Sequence, residues 1–266
     1  MHDEQILNLL TQEYSLRLVI TQQDIELLKE VRTKILVPIY ERYTQIENVD
    51  ELLYNQDDEQ SFVYILIHNQ TQKPVGTIRI FFINDKTPIQ QLPMQTHGGV
   101  TNIDIYTKHK PICEITRLAL IKDLPTHKDL SALSLRTTLT MGLFVALGMN
   151  ILLYKYKSIF SIMEPSLFRI IRRHGILFEP IGETVDYFGK RIPHIITRQN
   201  LMDNANPIIG HVTLHYLKQL VVHSDEFISY IDKHPYLDRD KMHIDKLIDI
   251  LQNKPDITID ELLKLM

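Results

Sequence analysis

The sequence predicts a mixed α/β (α+β) fold: a central sheet flanked by helices, with a helical extension at its C-terminal end. Three observations predict it. Short β-branched and apolar runs alternate with longer helical patterns from about residue 14 to residue 200. One of these runs, residues 111–120 (Pro-Ile-Cys-Glu-Ile-Thr-Arg-Leu-Ala-Leu), is apolar enough for a buried strand yet carries Glu114 and Arg117. Beyond about residue 200 only helical patterns follow. The expected division is residues 1–200 for the sheet-bearing domain and 201–266 for the extension.

Residues 14–20 alternate loosely and suit a first strand. Thr21 can cap the next helix, with Asp24 as its capping-box partner. Ile25, Leu28, Val31 and Ile35 make an apolar stripe, and Pro38 ends or bends the helix. Arg32 lies within that helix, where a solvated helix charge is the bland reading and a role at the site the alternative. Residues 46–61 are polar and acidic and read as a solvated loop. Residues 62–68 and 74–83 form a hairpin around a turn at 69–73. In the second of these strands Arg79 shares a face with Val75 and Thr77, and Glu114 is its expected partner. Residues 84–110 make a long polar loop, of a length that is usually functional or mobile.

In the strand at 111–120, burial of a charge costs several kcal/mol unless the charge is paired or used. Alternation places Glu114 and Thr116 on one face, and Arg117 on the other unless a bulge re-aims it. The strand therefore reads either as the seat of a structural ion pair or as a site strand presenting Glu114 as a general base. Cys113 faces away from Glu114, and a lone buried cysteine is ordinarily inert. Residues 131–148 form a mostly apolar, hence buried, helix capped by Ser131 or Asp129. Residues 156–162 return as a strand. Glu164 and Pro165 open a short helix that Gly175 closes, after Arg172, Arg173 and His174. Residues 176–180 and 184–187 are extended, Gly189 turns the chain, and 192–197 is the last strand. Helices follow at 207–223, 225–234, 238–252 and 257–266.

Composition narrows the function classes. Apolar residues make up 44% of 266, enough for a substantial core. A net charge of -4 carries no nucleic-acid footprint. Cys113 is the one cysteine, so an intrachain disulfide and a cysteine zinc site are excluded, and a reducing, cytoplasmic setting is the expectation. His211 and His215 stand at i, i+4 without accompanying ligands, so no metal is expected. The first residues lack a signal-peptide pattern. The apolar run at 143–154 is interrupted by Gly148 and Asn150 and is too short to span a bilayer. No transmembrane segment is expected, and peripheral membrane contact is left open.

Glu114-Ile115-Thr116-Arg117-Leu118 resembles the Glu-x-Ser/Thr-Arg-hydrophobic signature of two related families on the GNAT acyltransferase fold, the acyl-homoserine-lactone synthases and the long-chain N-acyl amino acid synthases. Val75-Gly76-Thr77-Ile78-Arg79-Ile80 is similar to their Val-Gly-Thr-x-Arg-Leu strand. Met163-Glu164-Pro165-Ser166-Leu167, then Arg172-Arg173-His174-Gly175 and Phe188-Gly189-Lys190-Arg191-Ile192-Pro193, looks like the closing part of the N-acyl amino acid synthases. The resemblance spans roughly residues 14–200 and leaves the extension uncovered. It implies a mixed, mostly antiparallel sheet.

The resemblance implies transfer of a fatty acyl chain to an amino acid's amine. Glu114 would take the amine proton, and Thr116 would orient that base or touch the acceptor. Arg32 would help shape the substrate pocket, and residues 46–61 would be a flap near the acceptor. Arg79 or Arg117 can hold the acceptor's carboxylate. Phe81, Phe144 and Phe160 are expected along an acyl tunnel. Coenzyme A-dependent relatives carry a glycine-rich loop after the Glu114 strand, whereas residues 121–130 hold no glycine and include Asp123 and Asp129. The implied donor is acyl-phosphopantetheine on acyl carrier protein, with no other cofactor. Lys155, Arg172, Arg173, Lys190 and Arg191 would dock that acidic partner if the fold gathers them, and are otherwise scattered surface charge. The runner-up is lactone synthesis from S-adenosylmethionine, although those enzymes carry a tryptophan after the first helix and this chain has none. A third reading is a non-catalytic carrier-protein or lipid-binding module.

Overall fold

The structure, a computed structural model, describes residues 3–44, 48–83, 92–100, 111–154, 156–233 and 241–265. Helix α1 (Asp3–Asn8) runs into a π-turn at Leu9–Glu13 that buries Leu9 and Leu10. Strand β1 (Tyr14–Leu18) leads to α2 (Gln22–Tyr40). The capping box forms as expected: Thr21 Oγ1 accepts from the Asp24 N–H, and the Asp24 carboxylate accepts from the Thr21 N–H. Pro38 lies in the last turn, and the helix closes two residues later at Tyr40.

The acidic stretch departs from the expected open loop. Its described part folds into α3 (Val49–Leu53) and α4 (Gln56–Glu59), which bury Leu52, Leu53 and Asp58. Strands β2 (Ser61–His68) and β3 (Lys73–Ile83) form the hairpin. Short helix α5 (Pro93–His97) lies within the expected long loop, of which residues 84–91 and 101–110 fall outside the described set. Strand β4 (Ile112–Leu120) is the charged apolar run.

Helix α6 (Ala132–Tyr154) continues past the expected end at 148 because its two apparent breakers are packing residues. A Cβ on Gly148 would meet Thr213 Oγ1 at 2.6 Å. Buried Asn150 Nδ2 donates to Tyr64 Oη at 2.9 Å and to the Ala146 carbonyl at 2.8 Å. Strand β5 (Ser158–Met163), α7 (Pro165–Arg172), β6 (Glu179–Pro180), β7 (Val185–Asp186) and β8 (Lys190–Thr197) complete the sheet region. Gly175 ends the α7 segment at φ +77°, where a Cβ would collide with the Asn204 carbonyl oxygen. The extension comprises α8 (Arg198–Asn204), α9 (Pro207–Val222), α10 (Ser224–Lys233), α11 (Lys241–Asn253) and α12 (Ile259–Leu265).

The described strands form one eight-stranded sheet, ordered β1-β2-β3-β4-β5-β8-β6, with β7 also on β8. Every pairing is antiparallel except β4 with β5. This is the mixed, mostly antiparallel sheet that the motifs imply. Alternation along β2 divides the molecule into layers. Phe62, Tyr64 and Leu66 face α6 and the extension, whereas Val63, Ile65 and Ile67 face α2. The extension shares the α6-side core through Val212, Leu217, Phe227 and Leu247. Tyr216 Oη donates to the Leu10 and Tyr14 carbonyls, and Tyr230 Oη donates to the Ser61 carbonyl at 3.1 Å. By length and composition α6 could cross a membrane, but here 83% of its most apolar window is buried inside the molecule.

Candidate active site

The site opens where strand pairing stops. β4 and β5 run parallel in register only from Ile112↔Ser158 to Ile115↔Ser161, although both strands continue. Ser161 Oγ donates to the Ile115 carbonyl at 3.2 Å and closes the ladder. Beyond it lies a cleft of about 470 Å³. Leu36, Ile39 and Tyr40 of α2 line one side, and Arg136 and Thr140 of α6 line the other, so the opening passes through the sheet.

Glu114 sits at the floor of this opening and has no exposed surface. Its Oε2 accepts from the Met94 N–H at 3.2 Å, and its Oε1 has no hydrogen-bond partner among the described residues. Burial pushes its carboxyl up to about 8, against the pull of the Met94 N–H and the Arg79 charge. Thr116 is on the same face, as alternation requires, and its Oγ1 accepts from Arg79 Nε at 2.8 Å.

Arg117 is re-aimed by a bulge. Thr77 pairs with Ala119 and Arg79 with Thr116, so Arg117 and Leu118 together oppose Ile78. Arg117 adopts φ +51°, a left-handed backbone that costs a residue with a Cβ about 1–2 kcal/mol. The turn brings its guanidinium to the Leu52 carbonyl at 2.7 Å and to Asp58 at 3.5 Å.

Three arginines therefore converge on Asp58. Arg32 makes a bidentate pair with it at 2.7 and 2.9 Å, and Arg79 and Arg117 approach at 3.5 Å. Burial alone would raise the Asp58 carboxyl, but the Arg32 charge and hydrogen bond, with Arg79 and Arg117, hold it at about 2. Burial and the neighbouring Arg32 and Arg79 charges push Arg117 down to about 10. This revises two expectations. Arg32 is fully buried, so the solvated alternative falls, and it does not line the cleft: Asp58 and the Leu53 carbonyl take its guanidinium. Arg79 is partnered by Thr116, Asp57 and Asp58 rather than by a direct bond to Glu114.

Asp58 and the cleft residues Asp57, Arg136, Tyr40, Tyr187 and Phe188 escaped sequence reasoning. For Asp58 a signal existed: Asn55-x-x-Asp58 is a capping-box spacing, and the Asp58 carboxylate accepts from the Asn55 N–H at 3.1 Å. The remaining predicted residues are dispersed. Phe81 lies with Leu92, Met94 and Phe160 in a small cluster, and Phe144 lies in the α6-side core; neither lines the cleft. Arg172 and Arg173 are exposed at the end of α7, and Lys190 is exposed at the start of β8. Arg191 turns to the cleft and pairs with Glu164 at 3.2 Å. Lys155 lies outside the described residues. Cys113 is buried, and burial with the Glu114 charge raises its thiol well above the usual range. Among the described residues no three His, Cys, Asp or Glu side chains gather as a metal site.

No protein-family model and no curated protein matches the chain. Among solved structures it is similar to FeeM, an N-acyl amino acid synthase from uncultured soil microbes, with 16% identity over 72% of this chain and 94% of that one, at a TM-score of 0.49. It is similar to the AHL synthase LasI at 13% identity, over 72% of this chain and 96% of that one, with a TM-score of 0.46. It is similar to the aminoglycoside acetyltransferase AAC(6')-Ib in complex with coenzyme A at 19% identity, over 71% and 98%, with a TM-score of 0.42.

Proposed function

We propose that the chain is an N-acyltransferase that moves a long fatty acyl chain from acyl carrier protein to the amine of an amino acid, in the cytoplasm. The observation that carries this reading is Glu114, a fully buried carboxylate with a free oxygen at the floor of a cleft through the sheet. A carboxyl raised to about 8 is matched to proton transfer near neutral pH. The acceptor nitrogen attacks the thioester carbonyl, its proton passes to Glu114 directly or through one water, and the thiol of the phosphopantetheine arm departs. The bulge at Arg117 and Leu118 supports the same step, because it interrupts the β3–β4 ladder beside Glu114, where an unpaired backbone N–H would suit the thioester oxygen. Arg79 and Arg117 line the cleft, where their charge suits an acceptor carboxylate.

The donor assignment is supported by the segment after β4. It holds no glycine, and Arg136 Nη2 takes the Ile121 and Lys122 carbonyls at 2.8 and 2.6 Å. The missing glycine leaves no close backbone approach for a free pyrophosphate, which suits a phosphopantetheine arm better. Exposed Arg172, Arg173 and Lys190 are the proposed dock for the acidic carrier.

The test is mass spectrometry of lipid extracts from cells expressing the wild-type chain or Glu114→Gln. The expected result is a new acyl amino acid, absent from the variant while the variant stays soluble and folded. A lactone product would replace this reading with the homoserine-lactone one. No product from either chain, with purified protein, acylated carrier and an amino-acid panel, would leave a non-catalytic module.

A further inference from the structure

On the α2 side, where Glu114, Thr116 and Arg79 lie, the cleft ends against a wall one ring thick. Tyr40, Tyr187 and Phe188 line both the cleft and a shallow outer hollow, which also touches Tyr43 and Asp186. Phe188 is the centre of the wall. It stacks on Tyr40 at 4.0 Å between centroids, and meets Tyr187 edge-on at 4.8 Å and Tyr43 edge-on at 6.1 Å. The wall therefore clasps the end of α2 to the β7–β8 turn, two parts of the chain far apart in sequence.

The clasp is held against local preference. Phe188 adopts φ +49°, a backbone region that disfavours any residue with a side chain. Gly189 follows at φ +102°, and a Cβ there would stand 3.1 Å from Tyr43 Oη. Glycine or asparagine would satisfy position 188 without strain. A strained residue persists where its surroundings over-determine it, and such residues gather at ligand clamps.

We propose that Phe188 is a specificity-determining residue: its ring is the partition that ends the acceptor half of the cleft, so that acceptors with short side chains fit and long ones are refused. The identity of the ligand as an acceptor amine rests on the acyl-transfer reading; the partition itself does not.

Phe188→Gly removes the ring at a position whose left-handed backbone glycine adopts freely. Purified full-length wild type and variant are compared with acylated carrier protein and amino acids of graded side-chain length, by product mass spectrometry. The expected result is a rise of about ten-fold or more in the kcat/KM ratio of long to short acceptors. An unchanged ratio in an active variant overturns the proposal. A second readout needs no turnover. Cys113 is buried, so a thiol placed in the cleft by Ile39→Cys is the accessible one. Its rate with a bulky maleimide, relative to a small one, rises several-fold when Phe188→Gly is added. If wild type acylates no acceptor, this ratio alone decides: a rise upholds the partition, and an unchanged ratio overturns it.

Discussion

Between its ordinary value of 4.5 and about 8, Glu114 holds a proton in the folded chain that it releases in the unfolded one. Folding takes up that proton, so the stability Glu114 contributes is full below about 4.5 and declines as pH rises towards 8. Urea midpoints of the wild type should therefore fall over this window relative to Glu114→Gln, which has no proton to lose. Parallel midpoints would show that the carboxyl is not raised by burial. In the proposed role of general base the same group would make the rate climb with pH over the same range, so activity and stability would move in opposite directions. Glu114 was legible in the sequence because a carboxylate inside an apolar strand demands a reason. Its partner was not legible: the Met94 N–H comes from a short helix in a stretch that reads as loop.

The α3–α4 segment shows what an acidic run conceals. Six acidic residues between 46 and 61 read as solvated loop, and one of them, Asp58, is the buried counter-ion of three arginines. Asp58→Ala leaves the Arg32 guanidinium buried without its carboxylate and should cost about 3–5 kcal/mol in urea unfolding. Adding Arg32→Met should recover part of that loss, because desolvating a lone guanidinium is the larger penalty. A double variant no more stable than Asp58→Ala would show that this pair does not hold α4 in place. Periodicity cannot reveal such a pairing, since Arg32 and Asp58 belong to different helices and no local spacing relates them. The helix starts fared better: Thr21 with Asp24, and Pro165 after Glu164, are local signals and appear in the structure as read. The bulge at Arg117 was legible only as a condition, because its position depends on the register of β3 against β4.

For the whole molecule, the extension is structural mass rather than an appendage. Its helices were legible from their apolar stripes, but their role was not, because nothing in a stripe says which surface it covers. The structure seats α9 on α6 and joins the tail to the sheet through Tyr216 and Tyr230. A chain ended at residue 200 should expose that face of α6 and be aggregated or unfolded by circular dichroism and size-exclusion chromatography. A monomeric, cooperatively folding 1–200 fragment would overturn this account of the tail.

The short parallel ladder also has a mechanical meaning. Strands β1 to β4 form one antiparallel leaf, and β5 with β6, β7 and β8 forms another. Between the leaves the sheet is sewn along four register pairs, and α6 packs on the β1–β4 leaf. Tension that spreads the leaves is borne first by the least extensive ladder among the long strands, and it widens the cleft before it loosens either leaf.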